Sequence, residues 1–160
     1  PSLVILILIS SSIEQRSLTL VALIIGLTTW TWTARAVRAQ AASLRARDHV
    51  SLARLNGEGT LELIVKQILP YILSYVFMAF ILQMATGILS EAAISMLGLG
   101  PYETVSLGLI LNHAQHNEAL INGNWWAFLP ATGLVTLASF SLYVVNTSME
   151  SVFNPRLRRN

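Results

Sequence analysis

Three stretches of this chain run for about the width of a bilayer without one charged side chain: Ser17 to Ala34, Tyr71 to Ser90 and Ala119 to Met149, of 18, 20 and 31 residues. A helix needs about 20 apolar residues to cross the hydrocarbon core, so each run is read as one complete helical span, with room to spare in the third. Composition agrees. With 54% hydrophobic residues, 11% charged and a mean hydropathy of +0.60, the chain lies outside the range of soluble domains of its length. A fourth run, Pro1 to Ile13, has only 13 residues and follows no Met, so it is read as a partial span and the chain as part of a longer protein. That run holds no basic residue, so it lacks the charged start of a secretory signal. Cysteine is absent, which removes disulfides, thiolate metal sites and cysteine nucleophiles.

The charges that remain are sharply placed. Of ten Lys and Arg, six fall between Arg35 and Lys66 and three are Arg156, Arg158 and Arg159, leaving Arg16 alone. Positive residues collect on the cytoplasmic side of inner-membrane proteins, so both clusters are expected there. Two spans separate them, as two segments on one side require. Between them, the region Glu91 to Glu118 carries no Lys or Arg and is expected outside.

The basic stretch 35–70 has internal punctuation. Asp48 is expected to cap a short helix reaching Asn56, Gly57 and Gly59 interrupt it, and Thr60 is expected to cap a second helix with Glu62 in its first turn. Leu61, Ile64, Val65 and Ile68 recur at i, i+3, i+4 and i+7, which predicts one apolar stripe packed against a neighbour. Pro70 disfavours helical geometry at Leu69, which predicts a change of direction before the span at Tyr71. Glycine inside a helix costs about 1 kcal/mol, so Gly57 is read as a turn residue in the left-handed region or in close approach to a partner. Asp48, Glu58 and Glu62 are interspersed with the basic residues, which argues against a purely lipid-binding surface. A docking surface for a soluble protein and a plain connector both fit this pattern.

Other candidate chemistry is thin. His113, His116 and Glu118 approach a metal-ligand spacing, but Glu118 falls on another helix face and a third strong ligand is missing; a polar loop accounts for them, and no metal site is expected. Glu91 is a lone acid at the outer end of a span, a candidate for lining or gating a pathway. Asn146-Thr147-Ser148 matches a glycosylation sequon but falls at the cytoplasmic end of the last span. Trp125 and Trp126 suit an interfacial belt. No phosphate-binding GxxxxGK[ST] loop occurs, and the spans offer no paired catalytic groups, so no catalytic residue is assigned.

Four ordered motifs carry a resemblance that covers essentially the whole chain. Asp48, Val50, Ala53, Arg54, Gly57, Ile68, Leu69 and Pro70 match the EAA loop of ABC-transporter permeases of the dipeptide/oligopeptide/nickel group. WTWTARAVRA at 30–39, SEAAISMLGLG at 90–100 and NPRLRR at 154–159 resemble segments of the same family, in its C-type subunit. The departures are Ser51-Leu52-Ala53 in place of Glu-Ala-Ala, His49 for an aromatic, Asn56 before Gly57 where Leu is common, and Leu107 for the Trp before a glycine. A Glu at position 51 would stand three residues after Asp48, where a capping box places it, so its absence is expected to remove a local clamp.

The resemblance implies an all-helical importer permease with one partial and three complete spans on one transmembrane domain over 1–160, a cytoplasmic coupling loop at 35–70 and an extracytoplasmic loop at 98–126. It implies that Asp48, Val50, Ser51, Leu52, Ala53, Arg54, Leu55 and Gly57 couple the spans to a cytoplasmic ATPase. It also implies a second permease subunit, two such ATPase subunits that hold ATP and Mg, an extracytoplasmic substrate-binding protein, lipid contact in a prokaryotic inner membrane, and no nucleic acid. Di- or oligopeptides are the implied cargo, a nickel or metal chelate the alternative. A non-transporting scaffold would need no docking turn.

Overall fold

The structure is a computed structural model that describes residues 2–13, 16–101 and 104–153. Every regular element among them is helical: α1 (Ser2–Ser11), α2 (Leu18–Arg45), α3 (Asp48–Leu55), α4 (Thr60–Glu62), a π-helical turn (Leu63–Ile68), α5 (Leu69–Met96), α6 (Leu107–His116) and α7 (Trp125–Phe153). Three helices are long and apolar enough to cross a membrane: Leu18–Arg45, the continuous helix Thr60–Met96, and Trp125–Met149.

These helices are not a water-soluble core. Only 17%, 22% and 11% of their most apolar windows are buried, and Leu27, Phe80, Leu137 and Phe140 are all more than half exposed. Left in water, each such side chain would forgo about 1.5–3 kcal/mol of burial; in lipid tails the same exposure costs nothing. The apolar exterior is therefore matched to a hydrocarbon solvent.

The chain divides into two units, residues 1–29 with 82–145, and 30–81 with 146–160. In the first, Leu6, Ile24 and Ile94 form the buried centre, joined by Ile13, Leu20, Ile25 and Leu99. Gln83 donates from its side-chain amide to the Thr29 carbonyl at 3.1 Å, a polar tie between α2 and α5. In the second, Val50, Ala53 and Leu63 are buried together with Ile68 packed beside them.

Pro70 does not turn the chain. Leu69 is helical, with φ −56° and ψ −44°, and the helix runs unbroken from Thr60 to Met96. Proline lacks an amide hydrogen and its ring strikes the carbonyl four residues back; the wider π turn at Leu63–Ile68, immediately before it, opens the ladder where that clash would fall. The same turn redirects the stripe expected on this helix. Residues five apart share a face in a π turn, so Leu63 and Ile68 point inward, whereas Leu61, Ile64 and Val65 are exposed.

The spans also differ from their uncharged runs. The helix that begins at Leu18 continues eleven residues past Ala34 to Arg45, so the stretch assigned to a loop from Arg35 starts as a helical extension. Met96, six residues beyond Ser90, ends α5, and the third spanning helix starts at Trp125, after a turn that covers 117–123. Arg156, Arg158, Arg159 and the NPRLRR motif lie outside the described residues.

Candidate functional site

The stretch 48–68 folds as a helical hairpin. Arg47, with φ −80° and ψ 150°, is the residue before the first helical turn, and its carbonyl accepts from the Val50 and Ser51 amides at 3.1 and 3.2 Å. Asp48 is thus the first helical residue rather than the cap, and no side chain caps this helix. The expected capping relation between positions 48 and 51 is overturned: Ser51 stands four helical positions in, and its hydroxyl reaches back to the Arg47 carbonyl at 3.4 Å. Asp48 still favours the positive N-terminal end of α3 and Arg54 the negative end. Thr60 likewise is not a cap; extended Gly59 takes that position, without a side-chain bond.

Helix α3 ends in a two-bond glycine motif. Gly57 has φ +84°, its amide donates to the Arg54 carbonyl at 3.1 Å, and the Glu58 amide donates to Ala53 at 3.2 Å. Nothing lies within 4 Å of where a Cβ would sit at Gly57, so the backbone conformation alone demands glycine there.

The hairpin sorts the candidate residues onto two faces. Val50 and Ala53, three apart, are buried against Leu63. Ala53, at 5% exposure, is therefore internal packing and not a contact surface, as is Val50 at 1%. Asp48, Ser51, Leu52, Arg54 and Leu55 are exposed, Leu52 by 61% and Leu55 by 83%. His49 packs as an aromatic side chain would, its ring 5.3 Å from that of Tyr71 at the start of the span. Along the second arm, Lys66 pairs with Glu62 at 2.6 Å on the surface, and Gln67 reaches Glu58 at 3.5 Å.

A second constellation forms at the end of α5. Gly98, with φ +75°, closes the helix with Gly98 N–H to Ser95 and Leu99 N–H to Ile94, both 3.0 Å, and Leu99 packs on Ile94. Helix ends leave carbonyls unpaired, and two are met from elsewhere in the chain. The Asn112 amide donates to the Met96 carbonyl at 2.7 Å, and an Arg16 guanidinium nitrogen donates to the Gly98 carbonyl at 2.9 Å. Glu91 is half-buried and accepts from the Ser95 hydroxyl at 2.6 Å. α6 begins with Ser106 accepting from the Leu109 amide at 3.2 Å and crosses α5 at van der Waals limits: a Cβ on Gly108 would lie 2.6 Å from Ser95 Cβ and 2.7 Å from the Ala92 carbonyl oxygen. Gly100 is similarly confined, since a Cβ there would lie 2.7 Å from Ser95 Cβ.

Asn112, Gly108 and Arg16 had not stood out as site residues. The spacing was nevertheless present: an amide four residues after a glycine in an otherwise apolar turn, LGLILN, puts the small residue and the hydrogen-bonding residue on one face. His113 and His116 are exposed, the His116 Nδ1 lies 2.9 Å from the Asn112 carbonyl, and among the described residues no three His, Asp or Glu side chains gather in a way that could hold a metal ion.

Comparison with known proteins agrees with the spanning helices. Residues 1–159 match the family described as binding-protein-dependent transport system inner membrane component, and the chain belongs to that family. It is 34% identical over 126 residues, 78% of this chain and 42% of the relative, to a putative peptide transport system permease protein of Brucella suis biovar 1 (strain 1330). It is 32% identical over 158 residues, 98% of this chain and 52% of the relative, to a putative peptide permease protein of Brucella ovis. With the oligopeptide transport system permease protein OppC of Bacillus subtilis (strain 168) it shares 29% identity over 160 residues, 99% of this chain and 51% of the relative. The chain spans about half the length of the curated relatives it matches. No solved structure gives a significant match. Its regular elements among the described residues are all helical, and it is a component of the inner membrane.

Proposed function

We propose that the chain forms part of the permease of an ATP-driven importer for di- or oligopeptides, and that the hairpin 48–68 docks a cytoplasmic ATPase. The observation that carries this reading is the hairpin itself: a short helix stapled by Val50, Ala53 and Leu63 to the foot of a spanning helix, presenting Leu52 and Leu55 to solvent within the stretch where six of the ten Lys and Arg fall. The peptide permeases among its relatives support the cargo class. Because the π turn joins the hairpin to α5 without a break, a rotation of the docked helix is delivered to the span as a lever. ATP and Mg belong to the partner, a second permease completes the pathway, and an extracytoplasmic binding protein delivers peptide; Glu91, on α5, lines or gates the route. Alternating access then follows from ATP-dependent closure of the partner, which binds one arrangement of the hairpins better than the other.

The test is reconstitution of the complex purified through this subunit into proteoliposomes. An ATPase and a second permease should co-purify, and ATP hydrolysis should rise when a peptide-loaded binding protein is added. Purification with no ATP-hydrolysing subunit would overturn the assignment. Orientation has its own check, since the 160 residues contain no native Cys. A Cys at Ser51 should resist an impermeant maleimide until cells are opened, while one at Asn122 reacts at once; the reverse order would invert the topology.

Gly57 gives a graded prediction. Left-handed geometry costs an L residue about 1–2 kcal/mol, least for Asn, and no neighbour obstructs a side chain here. Gly57→Asn should therefore keep receptor-stimulated ATP hydrolysis near the wild-type level, while Gly57→Val should lose most of it with the subunits still assembled. Equal stimulation in both variants would mean that the turn geometry is not transmitted.

A further inference from the structure

The turn between α6 and α7 holds two large apolar side chains that the fold does not use. Leu120 is 69% exposed and Ile121 81%, among the highest values for large apolar side chains among the described residues. They are not on a loose loop. Glu118 adopts φ +51°, a conformation rare outside glycine, and closes α6 with its amide on the Gln115 carbonyl at 3.1 Å and the Ala119 amide on Ala114 at 2.9 Å. Ala114 and Ala119 are both buried beneath the tip. The Asn122 amide then returns to Glu118 at 2.9 Å, and the Asn124 amide to Ala119 at 2.8 Å. This last bond fixes the level of the tip, because Asn124 immediately precedes Trp125, the first residue of spanning helix α7.

At that level the chain already shows a membrane-interface signature. Trp125 and Trp126 are 59% and 61% exposed, edge to face with ring centres 6.0 Å apart, at the entry to a helix whose apolar window is only 11% buried. Indoles favour headgroup depth, and apolar side chains beside them gain by entering the headgroup–acyl boundary. The polar side chains of the turn suit the aqueous side of that boundary: Asn117, Asn122 and Asn124 are neutral amides, Glu118 is its one carboxylate, and no Lys or Arg occurs between Lys66 and Arg156 to steer an acidic protein there.

We propose that Leu120 and Ile121 are a built membrane anchor, held by the Glu118 turn at the depth of Trp125 and Trp126 and seated among lipid at the bilayer interface, so that the end of α6 is pinned to the membrane. The inference stands on the membrane placement of α7, not on transport. The test uses single Cys residues at Leu120, Ile121 and, as a control on the same turn, Asn117, each labelled with an environment-sensitive fluorophore in the intact complex. The complex is held in phosphatidylcholine–phosphatidylglycerol vesicles with and without lipids spin-labelled near the headgroup. Labels at Leu120 and Ile121 should emit to the blue and be quenched at least twofold more by the spin-labelled lipid than the label at Asn117, with little quenching by iodide. Water-like emission with iodide quenching equal to that at Asn117 would overturn the proposal. Blue emission protected from both quenchers would also overturn it, identifying a protein as the covering surface. To separate placement from a label effect, native-label-free Leu120→Gln/Ile121→Gln complex should show faster proteolysis of the 117–124 turn in vesicles than wild type; unchanged proteolysis would count against the anchor.

Discussion

Gly108→Ala should lower the melting temperature of the purified permease complex by several degrees, whereas Gly133→Ala should leave it unchanged or raise it. The chemical change is identical, one methyl group in place of a hydrogen within a helix, and by helix propensity alone both should stabilise by about 1 kcal/mol. Space decides the sign. At Gly133 nothing stands within 4 Å of the new carbon, while at Gly108 it meets Ser95 Cβ at 2.6 Å, the Ala92 carbonyl oxygen at 2.7 Å and Ala92 Cα at 2.8 Å. Two of those three atoms are backbone and cannot swing aside, so α6 must lift from α5, at an overpacking cost of about 1–3 kcal/mol and with the Asn112 bond to Met96 stretched. Size-exclusion profiles after graded heating in detergent measure both variants. Equal behaviour would show that α6 does not pack on α5 in this way.

Leu52→Asp should strip the ATPase from the complex, and Ser51→Ala should not. A leucine that goes from exposed to fully buried contributes about 1.5–3 kcal/mol, against about 0–1 kcal/mol for an exposed ion pair such as Arg54 could form. Leu52 and Leu55, the large apolar side chains on the outer face of α3, are the available anchors, while Val50 and Ala53 are already spent inside the hairpin. Losing one anchor and burying a carboxylate should weaken association by at least 10-fold to 150-fold, the factor that 1.5–3 kcal/mol represents. Because Asp48 is not the helix cap, Ser51→Glu should bring no gain from capping, and any tightening it produces must come from the partner. Retention of the ATPase on the detergent-purified complex is the readout; loss in Ser51→Ala with retention in Leu52→Asp would place the contact on the other side of α3.

What the sequence made legible follows from the range over which each signal acts. Spanning helices need only a long uncharged run, so their number and approximate place were readable, and the left-handed turn at Gly57 was readable from local chemistry. Element ends were not. Asp48 and Thr60 both have side chains that can cap, but the caps fall one residue earlier, at Arg47 and Gly59, where no side chain makes a cap bond. Pro70 reads as a break in any window that assumes an α ladder, and the π turn before it removes that assumption. The inward pair Leu63 and Ile68, five apart, was hidden for the same reason. Asn112 and Arg16 serve carbonyls 16 and 82 residues away in the chain, a separation no local pattern reports.

The central claim is that the outer face of α3 meets an ATP-hydrolysing protein, and site-specific photo-crosslinking in cells tests it most directly. A photoreactive residue at Leu55 should join the chain to one soluble protein that binds ATP, and the crosslink should disappear in the Leu52→Asp background. A crosslink at Leu55 to lipid alone, or to a protein without ATP-binding activity, would contradict the account.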